Sequence, residues 1–150
     1  MNATPKDSDY EHRVSKSFAK QSFMNYIKAE LQKIEPGYCE IKLPFSENLT
    51  QQHGFFHAGI VATLADNASG YAAFSLMAAS SSVLTVEYKI NLMSPAKGEY
   101  LIGKSKVIKN GKTLTICQSE VFASENGEQK LCAIAQVTLM ELKDTYDGIK

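Results

Sequence analysis

From Ala58 to Ala79 the chain reads as one apolar helix carrying a single charge, Asp66, near its middle. This segment constrains the architecture more than any other. A helix that is apolar all round must be covered on every side. About 20 residues at 1.5 Å each make a rod about 30 Å long. Five strands spaced at about 4.8 Å give a sheet that such a rod can cross. The helix therefore belongs in the concavity of a strongly curved sheet.

The rest of the chain supplies that sheet. Tyr38–Phe45 alternates, with Ile41 and Leu43 set against Glu40 and Lys42. After Ser80-Ser81-Ser82 the period is two: Leu84, Val86, Tyr88, Ile90 and Leu92 share one face, and Thr85, Glu87, Lys89 and Asn91 the other. Ser94-Pro95 ends that strand. Glu99–Lys109 and Lys112–Ser124 read as strands joined by a tight turn at Asn110-Gly111, and Asn126-Gly127 leads into Glu128–Leu142. Ahead of them, residues 10–33 carry helical spacing through Val14, Phe18, Met24, Ile27 and Leu31, ended by Pro36-Gly37. The expected fold is α+β: a five-stranded antiparallel curved sheet wrapped around a long central helix, with an extra N-terminal helix. No linker or repeat interrupts the 150 residues, so a single domain over 1–150 is expected.

Several classes of function are disfavoured at this level. Lys plus Arg and Asp plus Glu both number 16, so no bulk field draws the chain to nucleic acid or to an anionic membrane. Residues 58–79 are about long enough to cross a bilayer. Their Thr63, Asp66, Asn67, Ser69 and Gly70, without basic flanks, argue for burial by protein instead. The polar N-terminus lacks the apolar stretch of a secretory signal. Three widely spaced cysteines, Cys39, Cys117 and Cys132, fit reduced thiols in a cytoplasm better than a disulfide framework or zinc knuckle.

The chemistry centres on Asp66. An ionised carboxylate is costly to desolvate, so a buried one has a partner or a task. It either braces a neighbouring loop or acts as nucleophile or general base. A turn with His53, Gly54 and His57 leads into the same helix, whose first N–H groups lack intrahelical partners. The acid stands eight residues further on, ~12 Å along the axis. It cannot easily serve a group bound at its own helix N-terminus, but it can face that of a second copy. The spacing thus makes a dimer part of the mechanism. His53 and His57 are not a zinc pair, since Gly54 stands where that motif needs Glu. No metal or cofactor is expected, and no nucleophile elbow or phosphate-binding glycine loop occurs. Lys104, Lys106, Lys109 and Lys112 form either a solvated sheet edge or a phosphate-binding rim.

The run Gln51 to Asp66, QQHGFFHAGIVATLAD, resembles the signature of hot-dog-fold acyl-CoA thioesterases of the PaaI type. Thr85-Val86-Glu87-Tyr88 and Asn91-Leu92-Met93-Ser94-Pro95-Ala96 are similar to that family's next strand and its end, and the resemblance covers about residues 35–141. It implies hydrolysis of a thioester to an acid and free CoA, with CoA as part of the substrate. It implies that Asp66 is the catalytic carboxylate and Gln51 the amide that positions water or thioester. His57 matches the signature histidine, and Thr85 the hydroxyl that assists the acid. Ala58 stands at the first glycine of the family's His-Gly-Gly, whose backbone N–H polarises the carbonyl. An alanine supplies that N–H equally well, with less room and less φ freedom. Gly59 and Phe56 stand beside the site as substrate contacts, and Lys109 and Lys112 as contacts to the nucleotide phosphates. Sites at dimer interfaces, and a homodimer or homotetramer, are implied as well. The rivals are a non-catalytic acyl-CoA-binding module and an acyl-CoA dehydratase or isomerase on the same fold.

Overall fold

The N-terminal part divides where a single helix was expected. In the computed structural model, which describes residues 4–145, α1 spans Tyr10–Lys20 and α2 Ser22–Tyr26. Lys28 then takes a left-handed φ of 60°, and the Ala29 N–H closes the turn on Met24 O at 2.9 Å. Residues Glu30–Glu35 are not helical; they form a strand, β1. The misleading signal is a bulge. Leu31 pairs with Ile41 and Ile34 with Cys39, with one extra residue between them. Two apolar residues three apart thus share the inner face of a strand and imitate helical spacing. Gly37, at φ 75°, turns β1 back into β2, Tyr38–Pro44.

The sheet accordingly has six strands rather than five. After β2 come β3 (Ser82–Leu92), β4 (Tyr100–Asn110), β5 (Leu114–Glu125) and β6 (Glu128–Leu142). All pairings are antiparallel, in the order β1-β2-β4-β5-β6-β3. The turn at Asn126-Gly127 is the two-residue form, with φ of 53° and 82° and Glu125 opposite Glu128. The turn at Asn110-Gly111 is wider than expected. Asn110 already pairs with Thr115, and its side-chain oxygen accepts from Thr115 Oγ1 at 3.0 Å. Asn110 therefore ends the ladder instead of making the turn.

The central helix, α3, spans Ala58–Phe74, five residues shorter than the apolar run. Arg13 of α1 meets the carbonyl of its last residue and one in the turn beyond. One guanidinium nitrogen donates to Phe74 O at 3.1 Å and to Met77 O at 2.8 Å, and the group lies 4.1 Å from the Phe74 ring centre. A cation placed there complements the negative end of the helix. Val61, Leu64, Ala65, Ala68 and Ala72 of α3 are buried against the sheet. The two approach closely at Gly103 of β4, where a Cβ would stand 2.9 Å from Leu64 Cγ and 3.1 Å from Leu64 O. The helix is not covered all round, however. Gly59, Thr63, Asp66, Asn67 and Gly70 retain exposure along one side.

β3 departs from strict alternation. Thr85 pairs with Leu139 and Glu87 with Thr138, leaving Val86 as an extra residue. Tyr88, Ile90 and Leu92 pair with Val137, Ala135 and Ala133, which lie on the same buried face of β6 as Leu139. Thr85 therefore joins Tyr88, Ile90 and Leu92 on the helix side, where plain alternation had put it on the opposite face. The bulge re-aims a hydroxyl toward α3.

Candidate active site

The expected site residues fall into two groups at different points along α3. The first surrounds its N-terminus. Thr50 and Phe56 form an isolated bridge that brings the preceding loop alongside the helix start. Within that loop the Gln51 N–H donates to Phe55 O and the Gly54 N–H to Gln51 O. The His53 N–H donates to the Gln51 side-chain oxygen at 2.5 Å, so the amide is held by its oxygen and its NH2 stays available as a donor. Phe56 is buried and packs edge-on against Phe45, ring centres 5.5 Å apart.

His57 is the N-cap of α3, with φ −62° and ψ 140°, and its Nδ1 accepts the Gly59 N–H at 3.0 Å. The Ile60 and Val61 N–H groups both reach His57 O, at 2.9 and 3.2 Å, and the His57 N–H reaches Leu49 O at 2.8 Å. The Ala58 N–H has no acceptor among the described residues. It borders a groove of about 420 Å³ lined by Gln51, Phe56, Ala58, Leu92, Met93 and Cys132, among others. The lining is apolar apart from Gln51 and Ser94, and the Ser94 hydroxyl is spent on Leu131 O at 2.8 Å. No charged side chain lines it.

The second group is Asp66 with Thr85. The Thr85 hydroxyl donates to Asp66 Oδ1 at 2.8 Å. Burial pushes the Asp66 carboxyl above the ordinary carboxylate range, and the Thr85 hydrogen bond only partly opposes this. Asp66 does not line the groove. Lys109 and Lys112, both exposed, sit at the β4–β5 hairpin. The pairing row Asn110–Thr115–Leu139–Thr85 puts that hairpin at the acid's end of the sheet, away from the groove. One chain therefore brings Gln51, Phe56, His57, Ala58 and Gly59 together, and separately Asp66 and Thr85, but does not join the two groups.

Sequence reasoning missed Cys132 as a groove residue. Val121 pairs with Ala133 and Phe122 with Leu131, so Cys132 is the extra residue of a bulge, turned toward the groove. No composition or spacing signal marks that bulge. Burial holds its thiol up at about 11, with the sulfur 3.2 Å from Val121 O, so it is no ready nucleophile. Among the described residues no cluster of three or more His, Cys, Asp or Glu could hold a metal ion. Nor is any helix among them long and apolar enough to cross a membrane.

A curved antiparallel sheet around one helix is the hot-dog thioesterase fold. The chain belongs to the thioesterase superfamily, whose family model matches residues 53–130, and it is a thioester hydrolase. It is 32% identical over 132 residues to a Saccharolobus solfataricus protein provisionally named an esterase, covering 88% of this chain and 85% of that one. It is 35% identical over 91 residues to human acyl-coenzyme A thioesterase 13, covering 60% of this chain and 63% of the relative. The crystal structure of a thioesterase family protein from Silicibacter pomeroyi superposes with a TM-score of 0.88 at 45% identity, covering 89% and 98% of the two chains. The fold is shared with the E. coli PaaI protein from the phenylacetic acid degradation operon, at TM-score 0.83 and 15% identity over 94% and 99% of the chains.

Proposed function

We propose that the protein hydrolyses acyl-CoA thioesters to a carboxylic acid and free CoA in a site built from two chains. One observation carries this reading: a Thr85-bonded, partly buried Asp66 stands two helical turns beyond an unpaired Ala58 N–H at an apolar groove. As the thioester carbon is attacked, charge grows on its oxygen. The Ala58 N–H and the Gln51 NH2 are donors placed to receive it. Asp66 of the other chain either takes the proton from an attacking water or attacks directly, giving an anhydride that water opens. The C–S bond breaks, and the CoA sulfur leaves as thiolate and takes up a proton. The likeness to acyl-coenzyme A thioesterase 13 supports CoA as the thiol. The groove, without a charged lining residue, suits an uncharged acyl group, aliphatic or aromatic.

The two-chain arrangement is supported by β3. It is one of the two edge strands, eleven residues long, and one of its edges is unpaired among the described residues. It also leaves Leu84 and Tyr88 49% and Leu92 54% exposed. A second β3 running antiparallel about a twofold axis covers both features. Pairing of two such dimers into a tetramer is a matter for sedimentation. The three free, buried thiols suit a reducing compartment, and we place the protein in the cytoplasm.

The test is free-thiol release from a panel of acyl-CoA esters. Turnover is expected with neutral acyl groups, and little with acyl groups ending in a carboxylate. Binding without thiol release across the panel would replace hydrolysis by mere acyl-CoA binding. A change in the acyl group with the thioester intact would point to a dehydratase or isomerase.

The lysines give a second test. In a two-chain site, Lys109 and Lys112 stand on the acid's side, outside the groove, where CoA phosphates can stay hydrated. Lys112→Ala, and less so Lys109→Ala, should raise KM for acyl-CoA at nearly constant kcat. The loss should shrink in salt and vanish for a short thioester lacking the nucleotide. An unchanged KM in the double variant would make the hairpin a plain solvated edge.

A further inference from the structure

We infer that His57 is a positioning residue: its imidazole acts on the reaction through the α3 N-terminus, by removing the Gly59 N–H and leaving that of Ala58 as the one open N–H of the helix start. The inference rests on the oxyanion role proposed for that N–H. An uncapped helix start would present two neighbouring unpaired N–H groups, those of Ala58 and Gly59, and a thioester oxygen could settle on either. The bond from Gly59 to Nδ1, at 3.0 Å, removes one of them. It also fixes the ring chemically. A nitrogen that accepts from a backbone N–H carries no proton of its own, so the bond calls for the tautomer with its hydrogen on Nε2.

Gly59 shows the same arrangement from the other side. A Cβ on Gly59 would lie 3.2 Å from Nδ1 and 3.6 Å from Cε1 of His57, with no atom of the sheet within 4 Å. The absent side chain is therefore explained by the ring that lies over it. No contact with the sheet requires it. The two residues form one device, a cap and the clearance that the cap needs.

The experiment is a double-mutant cycle with rescue, in the full-length protein. His57→Ala should lower kcat by about tenfold to a hundredfold, as a slightly misplaced donor does, with KM nearly constant. His57→Asn keeps a cap oxygen and should return kcat to within about threefold of the original. Gly59→Ala should slow the protein that has His57 and add almost nothing to His57→Ala, since the ring it displaces is gone. If Asn is no better than Ala, the imidazole acts on the substrate itself and the inference fails. It also fails if Gly59→Ala has the same effect in both backgrounds, or if His57→Ala lowers Tm and leaves kcat intact. Imidazole ¹⁵N shifts read the device without any substrate. A proton on Nε2 with bare, bonded Nδ1 is expected, and a proton on Nδ1 overturns the cap. That measurement stands even if the thioester assignment falls, whereas Asp66→Asn tests the assignment and leaves the cap untouched.

Discussion

Asp66→Asn is expected to remove thioester hydrolysis while making the protein more stable at neutral pH. Asn is nearly isosteric and keeps an oxygen for the Thr85 hydroxyl, whose bond to Oδ1 is 2.8 Å. It is neither a base nor a useful nucleophile, and losing such a group lowers the rate by about 10²–10⁴. The stability effect follows from the direction of the pKa shift. Burial raises the Asp66 carboxyl above its ordinary value, so the folded chain holds that proton more tightly than the unfolded one. Stability linked to this group is fully present below the unfolded pKa and is lost as pH rises through the folded one. At neutral pH the native protein carries a carboxylate it would rather protonate, and Asn relieves this. The gain in Tm over the wild type should therefore fade as pH is lowered through the carboxylate range. The activity of the unaltered protein should fall over a range higher than that of an ordinary carboxylate. A folded Asp66→Asn protein with near-normal turnover would remove the acid from the mechanism.

The second large effect is recovery of activity from two dead proteins. Gln51→Ala lacks the amide beside the groove, and Asp66→Asn lacks the acid. If each site takes its amide from one chain and its acid from the other, a mixed dimer has one site with both defects and one site with neither. Random exchange of equal amounts then restores about a quarter of full activity, since half the dimers are mixed and each has one intact site of two. Chains that carry a whole site alone would recover nothing on mixing. A fully active monomer in sedimentation would end the two-chain reading altogether.

The layout was legible in the sequence wherever a feature is carried by period or turn chemistry. The apolar run from Ala58 announced the central helix, and Asn126-Gly127 announced its hairpin with the correct two residues. Misreadings concentrated at bulges. The extra residue between Leu31 and Ile34 disguised β1 as helix, the one at Val86 hid that Thr85 faces α3, and the one at Cys132 hid a groove residue. A bulge is set by the partner strand's register, which no local pattern encodes. The end of α3 at Phe74 was invisible for a similar reason. It is met by Arg13, which is 61 residues away along the chain. The separation of Ala58 from Asp66 was readable in advance, because it needs only the eight-residue spacing between them and the rise of a helix.

The contact at Gly103 has a consequence for the paired molecule. In the proposed twofold dimer each α3 would serve two sites, giving its first N–H to one and its acid to the other. Leu64 sits between those two contributions, and the bare backbone of β4 at Gly103 lets it seat directly on the sheet. An axial slip of the helix would push a donor into one site while drawing the acid out of its twin. With the sites shared in this way, the seat at Gly103 would act as a clutch, holding both proposed centres to a common setting, and a larger side chain there would disturb their synchrony as well as their stability.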